Sequence, residues 1–264
     1  MPETPTPAPL DGLRFAFGTL TVLPVRVHRW DREAARAGML CAPVAGLAVG
    51  VCAAALGVLL LGAGPLLAGV ASVAVPAVLT RGLHLDGLAD TADGLGSGRP
   101  AEDALRIMKR SDIGPFGVVT LLLVLLAQVA VLAQLYGTSW TRGAVAALVS
   151  ALAARLALTL AARTGVPAAR PEGLGAAVAG VVPLPKATVA VAVCTLLAAA
   201  CGAALGAWGA VHTAAAVLLA LGAAELLLRH CVRRFGGVTG DVFGALAETA
   251  ATTALIVLAL GGAG

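Results

Sequence analysis

Charged and aromatic side chains are scarce in this sequence. Only 12% of its 264 residues are Asp, Glu, Lys or Arg, and only 3% are aromatic, whereas a soluble globular domain carries about 25% charged residues. The hydrophobic residues, 59% of the chain, form long uninterrupted blocks rather than one-sided stripes, a pattern typical of helices that contact lipid. The composition therefore argues against a water-soluble domain and indicates a membrane protein.

The sequence also lacks a cysteine motif for metal or redox chemistry. Its five cysteines include no CxxC pair and no Cys/His cluster, which argues against a zinc site and against a disulfide framework. Four of them lie inside apolar blocks and are interpreted as small packing residues. Residues 1–12 are rich in Pro and Thr and have no basic start, so we expect a disordered tail rather than a signal peptide.

Seven apolar blocks approach the roughly 20 residues that a helix needs to cross a bilayer. The sequence therefore predicts an all-α fold, a polytopic transmembrane bundle of about seven spans with cytosolic amphipathic helices, as a single integral-membrane domain over residues 1–264. The segment 15–27 is too short to span and is interpreted as interfacial or re-entrant. The blocks are residues 38–61, 65–80, 114–136, 143–162, 187–207, 210–228 and 242–260.

The basic residues favour one orientation of these blocks. If the N-terminus is cytosolic, 16 of the 18 Lys and Arg residues fall in cytosolic segments, while Arg142 lies on the other side and Arg155 inside the fourth block. Positive charge concentrates in the cytosolic loops of membrane proteins. We therefore expect a multi-pass protein of the cytoplasmic (inner) membrane with its C-terminus outside. The net charge of +4 reflects this topology, and no nucleic-acid partner is expected.

The polar stretch 81–113 is rich in aspartate and glycine. Asp86, Asp90 and Asp93 follow one another at spacings of four and three residues, which places them along one stripe of a helix. Carboxylates so spaced repel one another, so the stripe indicates a bound hard cation. Mg²⁺, with Mn²⁺ as the alternative, suits carboxylates and leaves coordination positions for phosphate. We predict that these aspartates hold metal in a cytosolic catalytic segment, with His84 as a base or as a supporting residue.

Further polar segments on the same predicted side supply candidate substrate contacts. An amphipathic helix over 101–110 ends in basic residues that would bind a substrate phosphate or, alternatively, anionic lipid. Asp241 opens the last block and would either contact substrate or cap that helix. The candidate substrate-binding residues are Lys109, Arg110, Asp112, Arg170, Glu172, Thr239 and Asp241.

Two glutamates lie within apolar blocks. Glu248 is expected to face a partner inside the bundle, because a carboxylate exposed to lipid is costly. Glu225 is expected to pair with Arg229, four residues further on.

Four of these segments, in this order, resemble the cobalamin synthase family, the adenosylcobinamide-GDP ribazoletransferases. They read RGLHLDGLADTADGL at 81–95, IMKRSDIGPFGV at 107–118, ARPEGLG at 169–175 and GGVTGDVFGALAE at 236–248. The similarity extends along nearly the whole chain and includes LTVLPV at 20–25.

The resemblance implies an enzyme of the last steps of adenosylcobalamin biosynthesis. Its reaction would transfer adenosylcobinamide phosphate from adenosylcobinamide-GDP to α-ribazole or its 5′-phosphate, with release of GMP, and would depend on Mg²⁺ at the cytoplasmic membrane. The family's acidic motif corresponds to Asp86, Asp90 and Asp93, its basic motif to 109–112, and its C-terminal motif to 239–241.

Two other functions remain open. A CDP-alcohol phosphatidyltransferase also places several aspartates on facing helices, although the spacing of its usual arginine is not well matched here. An ion-coupled transporter would use acids near the bilayer midplane, whereas this cluster lies at a membrane edge. The expected partners are the two substrates and membrane lipid, and a homo-oligomer is left open.

Overall fold

The structure, a computed structural model, describes residues 10–260, and its regular structure there is helical apart from two isolated β-bridges. This confirms the predicted all-α fold. The helices are α1 (Asp11–Leu20), α2 (Arg32–Leu60), α3 (Pro65–Leu79), α4 (Leu83–Gly96), α5 (Ala101–Ile107), α6 (Pro115–Thr138), α7 (Trp140–Ala161), α8 (Leu174–Val178), α9 (Leu184–Gly202), α10 (Ala207–Phe235) and α11 (Gly240–Leu260).

The long helices agree with the predicted spans. Within the described residues, six helices are long and apolar enough to cross a membrane, and a seventh crossing arises if α3 and α4 are counted together. These six are α2, α6, α7, α9, α10 and α11, with α2 and α9 extended by short 3₁₀ turns. The chain is therefore a multi-pass membrane protein.

The second predicted block is the short helix α3, and a sharp bend separates it from α4. The two helix axes meet at 88°. Arg81 and Gly82 make the bend, with φ values of 52° and 70°, a left-handed conformation that glycine adopts readily and other residues rarely. We describe α4 as a polar helix at the end of the spans, because it packs against the first turns of α6 and α11.

Several helix ends follow from local sequence. Asp31 caps α2, since its Oδ1 accepts hydrogen bonds from the backbone N–H groups of Glu33 and Ala34, each at 3.0 Å. Proline occupies the first position of α3 and of α6. The first N–H groups of a helix have no hydrogen-bond partner within it, so the N–H that proline lacks is not needed there. Gly236 ends α10 with φ 80°, as is common for a helix C-terminus.

The buried helix α7 lies at the centre of the bundle, and small residues let its neighbours approach. A Cβ atom added to Gly46 of α2 would lie 2.7 Å from the carbonyl oxygen of Ala151 in α7, and one on Gly50 would lie 3.0 Å from the Cα of Leu148. Such close backbone contact is how membrane helices associate without a hydrophobic drive.

Helix α1 packs against the start of α2. Phe15 is 1% exposed, and a Cβ on Gly38 of α2 would collide with its ring. The segment predicted as interfacial thus includes a helix that the bundle holds in place. The predicted tail lies mostly outside the described residues, and Asp11 and Gly12 form the start of α1.

The polar loops gather at one end of the bundle, which we call the loop end and define by α4, α5, α8 and residues 162–183. A backbone hydrogen bond ties it to the segment before α11, from the Ala169 N–H to the Val238 oxygen at 2.9 Å. The side chain of Arg170 donates to the Leu105 carbonyl oxygen. This end therefore brings together the segments that the sequence analysis singled out.

The two intramembrane glutamates have partners. Glu225 Oε1 accepts from Arg229 Nε at 2.8 Å, which confirms that pair, and also from Arg163 at 2.9 Å. Glu248 accepts from Gln128 Nε2 at 2.9 Å, so it faces the bundle interior as predicted.

Candidate active site

Close backbone packing fixes α4 against α11. A Cβ on Gly87 would lie 2.6 Å from the carbonyl oxygen of Asp241, and one on Gly244 would lie 2.9 Å from that of His84. Because neither glycine has a side chain, the two helices approach closely. The acidic residues of α4 are thereby brought beside Asp241 at the start of α11.

Asp93 is turned toward the start of α6. It is 6% exposed, and its Oδ2 and Oδ1 accept hydrogen bonds from the backbone N–H groups of Gly114 at 2.7 Å and Gly117 at 2.9 Å. A carboxylate suits the positive end of a helix dipole. Asp93 therefore anchors α4 to α6, a contact that its position on the aspartate stripe did not reveal.

Asp86 and Asp90 line a large cavity at the loop end. Its volume is about 760 Å³, and Arg81 and Arg110 contribute guanidinium groups to its wall. Hydroxyl side chains surround these charges, at positions Thr19, Thr21, Thr80 and Ser111. Of the predicted substrate-binding residues, Arg110 and Asp112 lie here.

A second cavity of about 290 Å³ adjoins the first and shares Asp86 with it. The chain segments around it come from α1, α2, α4, α7, the loop before α8, α8 itself and the start of α11. This cavity unites the other predicted site residues apart from Lys109 and Asp93, which line neither cavity, namely His84, Arg170, Glu172, Thr239 and Asp241.

Arg170 and Thr239 hold the carboxylate of Asp241. The Thr239 hydroxyl donates to Asp241 Oδ2 at 3.1 Å, and Arg170 Nη1 lies 3.8 Å from the same oxygen. It is the Thr239 hydroxyl that accepts from the backbone N–H of Val242, at 3.3 Å. The first turn of α11 is thus capped by Thr239, while the side chain of Asp241 lines the cavity.

Negative charge at the site is only partly compensated. Burial is the main cause that raises the pKa of Asp90 from 3.8 to about 7, and neighbouring carboxylates, first that of Asp241, add to it. Burial, followed by the positive charge of Arg155, lowers the pKa of His84, so its imidazole is neutral. His84 Nε2 is buried without a hydrogen-bond partner.

Lys109 does not line either cavity. Its Nζ lies 3.2 Å from Glu172 Oε1, and the two side chains are 61% and 74% exposed. This surface pair connects the end of α5 to the loop before α8. Arg110, the next residue, is the one that the fold directs into the large cavity.

The donor set suits a hard divalent cation, although it is not assembled around one. Asp86, Asp90 and Asp241 offer carboxylate oxygens of the kind that Mg²⁺ prefers. The pKa of Asp90 is raised first by burial and then by neighbouring carboxylates, and a cation would offset the charge of those carboxylates. Between residues 10 and 260, however, no three His, Cys, Asp or Glu side chains are grouped closely enough to hold a metal ion. Metal binding therefore stays a prediction. Asp241 lines one of the two cavities, whereas the predicted ligand Asp93 lines neither.

Residues of α1 and the α3–α4 bend were not foreseen as part of the site. Phe15 and Thr19 line the small cavity, Thr19 also lines the large one, and Arg81 belongs to the large one. The sequence signal that could have placed α1 in the bundle was its glycines. A Cβ on Gly12 would lie 2.9 Å from the backbone oxygen of Ala37, and so close a contact is typical of a helix packed against another rather than one lying freely in the interface.

Comparison with known proteins decides the family. The model of the cobalamin-5-phosphate synthase family matches residues 12–259. The chain belongs to this family. Cobalamin-5-phosphate synthases are transferases of cobalamin biosynthesis, so the resemblance carried by the four motifs is confirmed.

Individual relatives cover nearly the whole chain and carry the name adenosylcobinamide-GDP ribazoletransferase. The protein of Frankia casuarinae is 43% identical over 94% of this chain and 94% of its own length. The protein of Nocardioides sp. is 42% identical over 94% of this chain and 98% of its own length. That of Bradyrhizobium diazoefficiens is 40% identical over 94% of this chain and 92% of its own length. No solved structure matches this member of the cobalamin-5-phosphate synthase family.

Proposed function

We propose that this chain transfers the adenosylcobinamide phosphate group from adenosylcobinamide-GDP to α-ribazole or its 5′-phosphate. A ribazole hydroxyl oxygen forms a new bond to the phosphorus attached to cobinamide. The bond from that phosphorus to the GMP phosphate breaks, GMP leaves, and the hydroxyl proton passes to a carboxylate of the site. The products are adenosylcobalamin, or its phosphate, and GMP.

The observation that carries this proposal is the position of Asp86, which lines two adjoining cavities at one end of the bundle. A transfer between two substrates requires both to reach one reacting centre. Here a carboxylate lies at the junction, with arginines in each cavity wall. The names of the relatives supply the substrates, and the two-cavity arrangement suits a reaction between two molecules.

The chain's own residues would act mainly by positioning and by neutralising charge, as is usual in phosphoryl transfer. Arg110 and Arg81 would bind phosphate oxygens in the large cavity. Asp86, at the junction, is the carboxylate placed to accept the proton of the attacking hydroxyl. Arg170 and Thr239 would hold Asp241 in one orientation beside them.

Mg²⁺ is the cation that we propose for this site, with Mn²⁺ as the alternative. Asp86, Asp90 and Asp241 would hold it, and when bound it would neutralise the pyrophosphate of the donor. The supporting observation is that three further carboxylates, those of Asp241, Asp86 and Asp93, lie close enough to Asp90 to raise its pKa beyond the effect of burial.

We further propose that the loop end faces the cytosol of a cell whose cytoplasmic membrane holds the bundle. In the predicted topology this end lies on the side that holds 16 of the 18 Lys and Arg residues, in agreement with the positive-inside pattern. At the opposite end, Trp140 and Trp208 begin α7 and α10 and are 59% and 69% exposed. Exposed tryptophans commonly mark a membrane–water interface.

Purified protein in detergent tests the reaction. With adenosylcobinamide-GDP, α-ribazole and Mg²⁺, we expect one GMP for each cobalamin formed, and no GMP when α-ribazole is omitted. CDP-diacylglycerol with an alcohol serves as the rival substrate pair, and release of CMP from it would favour a phosphatidyltransferase. Absence of GMP release in all mixtures, from folded protein, would contradict the proposed function.

A further inference from the structure

The two cavities at the loop end differ in chemistry, although they meet at Asp86. They also share Thr19 and Leu83, so the wall between them is thin and a molecule in one lies beside a molecule in the other. One measures about 760 Å³ and the other about 290 Å³. Sites for small molecules span roughly 300 to 1,000 Å³, so the smaller cavity has room for one compact ligand only.

The smaller cavity has a mainly apolar buried wall and shares the carboxylate of Asp86 with the large one. Its buried apolar side chains, each 7% exposed or less, include Phe15, Leu20, Met39, Leu158 and Phe243, and the buried polar residues His84 and Thr239 also line it. Two of the apolar side chains are aromatic rings, which suit a flat apolar group. Asp86, Arg170 and Asp241 supply the polar part, so the cavity matches a ligand with an apolar ring at one end and hydroxyl groups at the other.

The larger cavity presents charge and hydroxyl groups instead. Arg81 and Arg110 face it together with Asp86, Asp90 and Asp112. Guanidinium groups bind phosphate oxygens through paired hydrogen bonds. The larger cavity therefore matches the diphosphate end of a bulky nucleotide-linked molecule, whose remaining parts would not fit the small cavity.

We propose that the smaller cavity is the acceptor site, which holds the heteroaromatic base of the nucleoside, and that the larger cavity holds the diphosphate of the donor. This assignment rests on the proposed function. The ribose of the acceptor then points to Asp86, where its hydroxyl oxygen meets the phosphorus of the donor. The new P–O bond forms at the junction, and the departing nucleotide phosphate remains with Arg81 and Arg110.

A cavity-filling variant tests the acceptor site. Ala176 of α8 lines the small cavity, and Ala177, the next residue of the same helix, does not. We expect Ala176→Leu to raise the KM for α-ribazole about tenfold or more, because extra methyl groups in a small apolar site cost at least that factor. The KM for adenosylcobinamide-GDP should stay within about twofold. Ala177→Leu, the matched control, should change neither value.

A charge-removing variant tests the donor site. We expect Arg110→Gln to raise the KM for adenosylcobinamide-GDP about tenfold or more through the loss of a charged hydrogen bond to phosphate, with the KM for α-ribazole nearly unchanged. Arg106→Gln removes the same charge from α5, outside the cavity, and should leave both values as in the wild type.

The outcomes separate the site assignment from the reaction. If each variant affects the opposite substrate, or both substrates equally, the assignment is overturned even though turnover persists. If wild-type protein shows no turnover, the proposed function fails. Equilibrium dialysis of each substrate alone against the same variants then still measures which variant weakens the binding of which substrate. Should Ala176→Leu fail to fold, Leu174→Phe fills the same cavity and is expected to act on α-ribazole alone.

Discussion

The carboxylate of Asp93 accepts a hydrogen bond from the backbone N–H of Gly117 at 2.9 Å. The same side chain holds the N–H of Gly114, so a single residue of α4 satisfies two N–H groups at the start of α6. These groups have no partner within their own helix. Asp93 thus serves the fold directly, whereas Asp86 and Asp90 face a cavity.

We expect Asp93→Asn to lower the free energy of unfolding by about 1–3 kcal/mol, since one of the two backbone N–H groups would face an amide NH₂ instead of an oxygen. The apparent unfolding temperature in detergent, followed by circular dichroism, measures this loss. Asp103→Asn, on the exposed surface of α5, is the control and should change stability by less than about 1 kcal/mol. If Asp93→Asn were as stable as the wild type, this would contradict the role of Asp93 as an anchor between α4 and α6.

Asp90 is expected to link stability to metal. Added Mg²⁺ should raise the apparent unfolding temperature of the wild type, because it offsets carboxylates that repel one another. Asp90→Asn should abolish this rise and Mg²⁺-dependent turnover while the protein stays folded. Asp103→Asn should keep both. A full Mg²⁺ effect in Asp90→Asn would contradict the metal prediction.

The pH dependence of that effect follows from the raised pKa of Asp90, about 7. The protonated carboxyl group holds a cation poorly, and it loses its proton as the pH rises through that value. The gain in unfolding temperature from Mg²⁺ should therefore increase between about pH 6 and about pH 8. A gain that is constant over this range would show that Asp90 is not involved.

Arg155 and Glu248 are expected to depend on each other. Arg155 is 3% exposed, its Nε and Nη2 have no hydrogen-bond partner, and both residues line a cavity of about 40 Å³ inside the bundle. Removal of either charge leaves the other uncompensated. In a cycle of Arg155→Met, Glu248→Gln and the double variant, we expect a coupling of about 0.5–3 kcal/mol in unfolding free energy. Strictly additive effects would mean that the two charges do not interact.

A side chain at Gly46 is expected to disturb the packing of α2 against α7. A methyl group there would meet the backbone oxygen of Ala151 at 2.7 Å, so Gly46→Ala should cost about 1–3 kcal/mol of stability. Gly222 of α10 has open space around it, and Gly222→Ala should be neutral or slightly stabilising. Equal unfolding temperatures for the two variants would contradict this account of the contact.

The sequence predicted the spans and the polar segments because both depend on local pattern. Hydropathy and the positions of Lys and Arg gave the long helices, and the spacing of Asp86 and Asp90 placed them on one helix face. The role of Asp93 could not be predicted, because it depends on how α6 docks against α4. The contribution of Arg81 likewise depends on a left-handed turn between two helices, which no periodicity reveals.

The smaller cavity was also beyond prediction, since six separated segments of the chain build it. Arg170 and Asp241 were foreseen as candidates from their motifs, but their shared contact arises only when residues 162–183 fold over the start of α11. Phe15 comes from a helix that hydropathy alone assigned to the membrane surface.

Turnover of purified Asp86→Asn, compared with the wild type, tests the central claim most directly. Asp86 lies where the two cavities meet, so its loss should lower kcat with adenosylcobinamide-GDP, α-ribazole and Mg²⁺ about a hundredfold or more, with an unchanged unfolding temperature. Wild-type turnover in this variant would contradict a reaction centre at the junction of the two cavities.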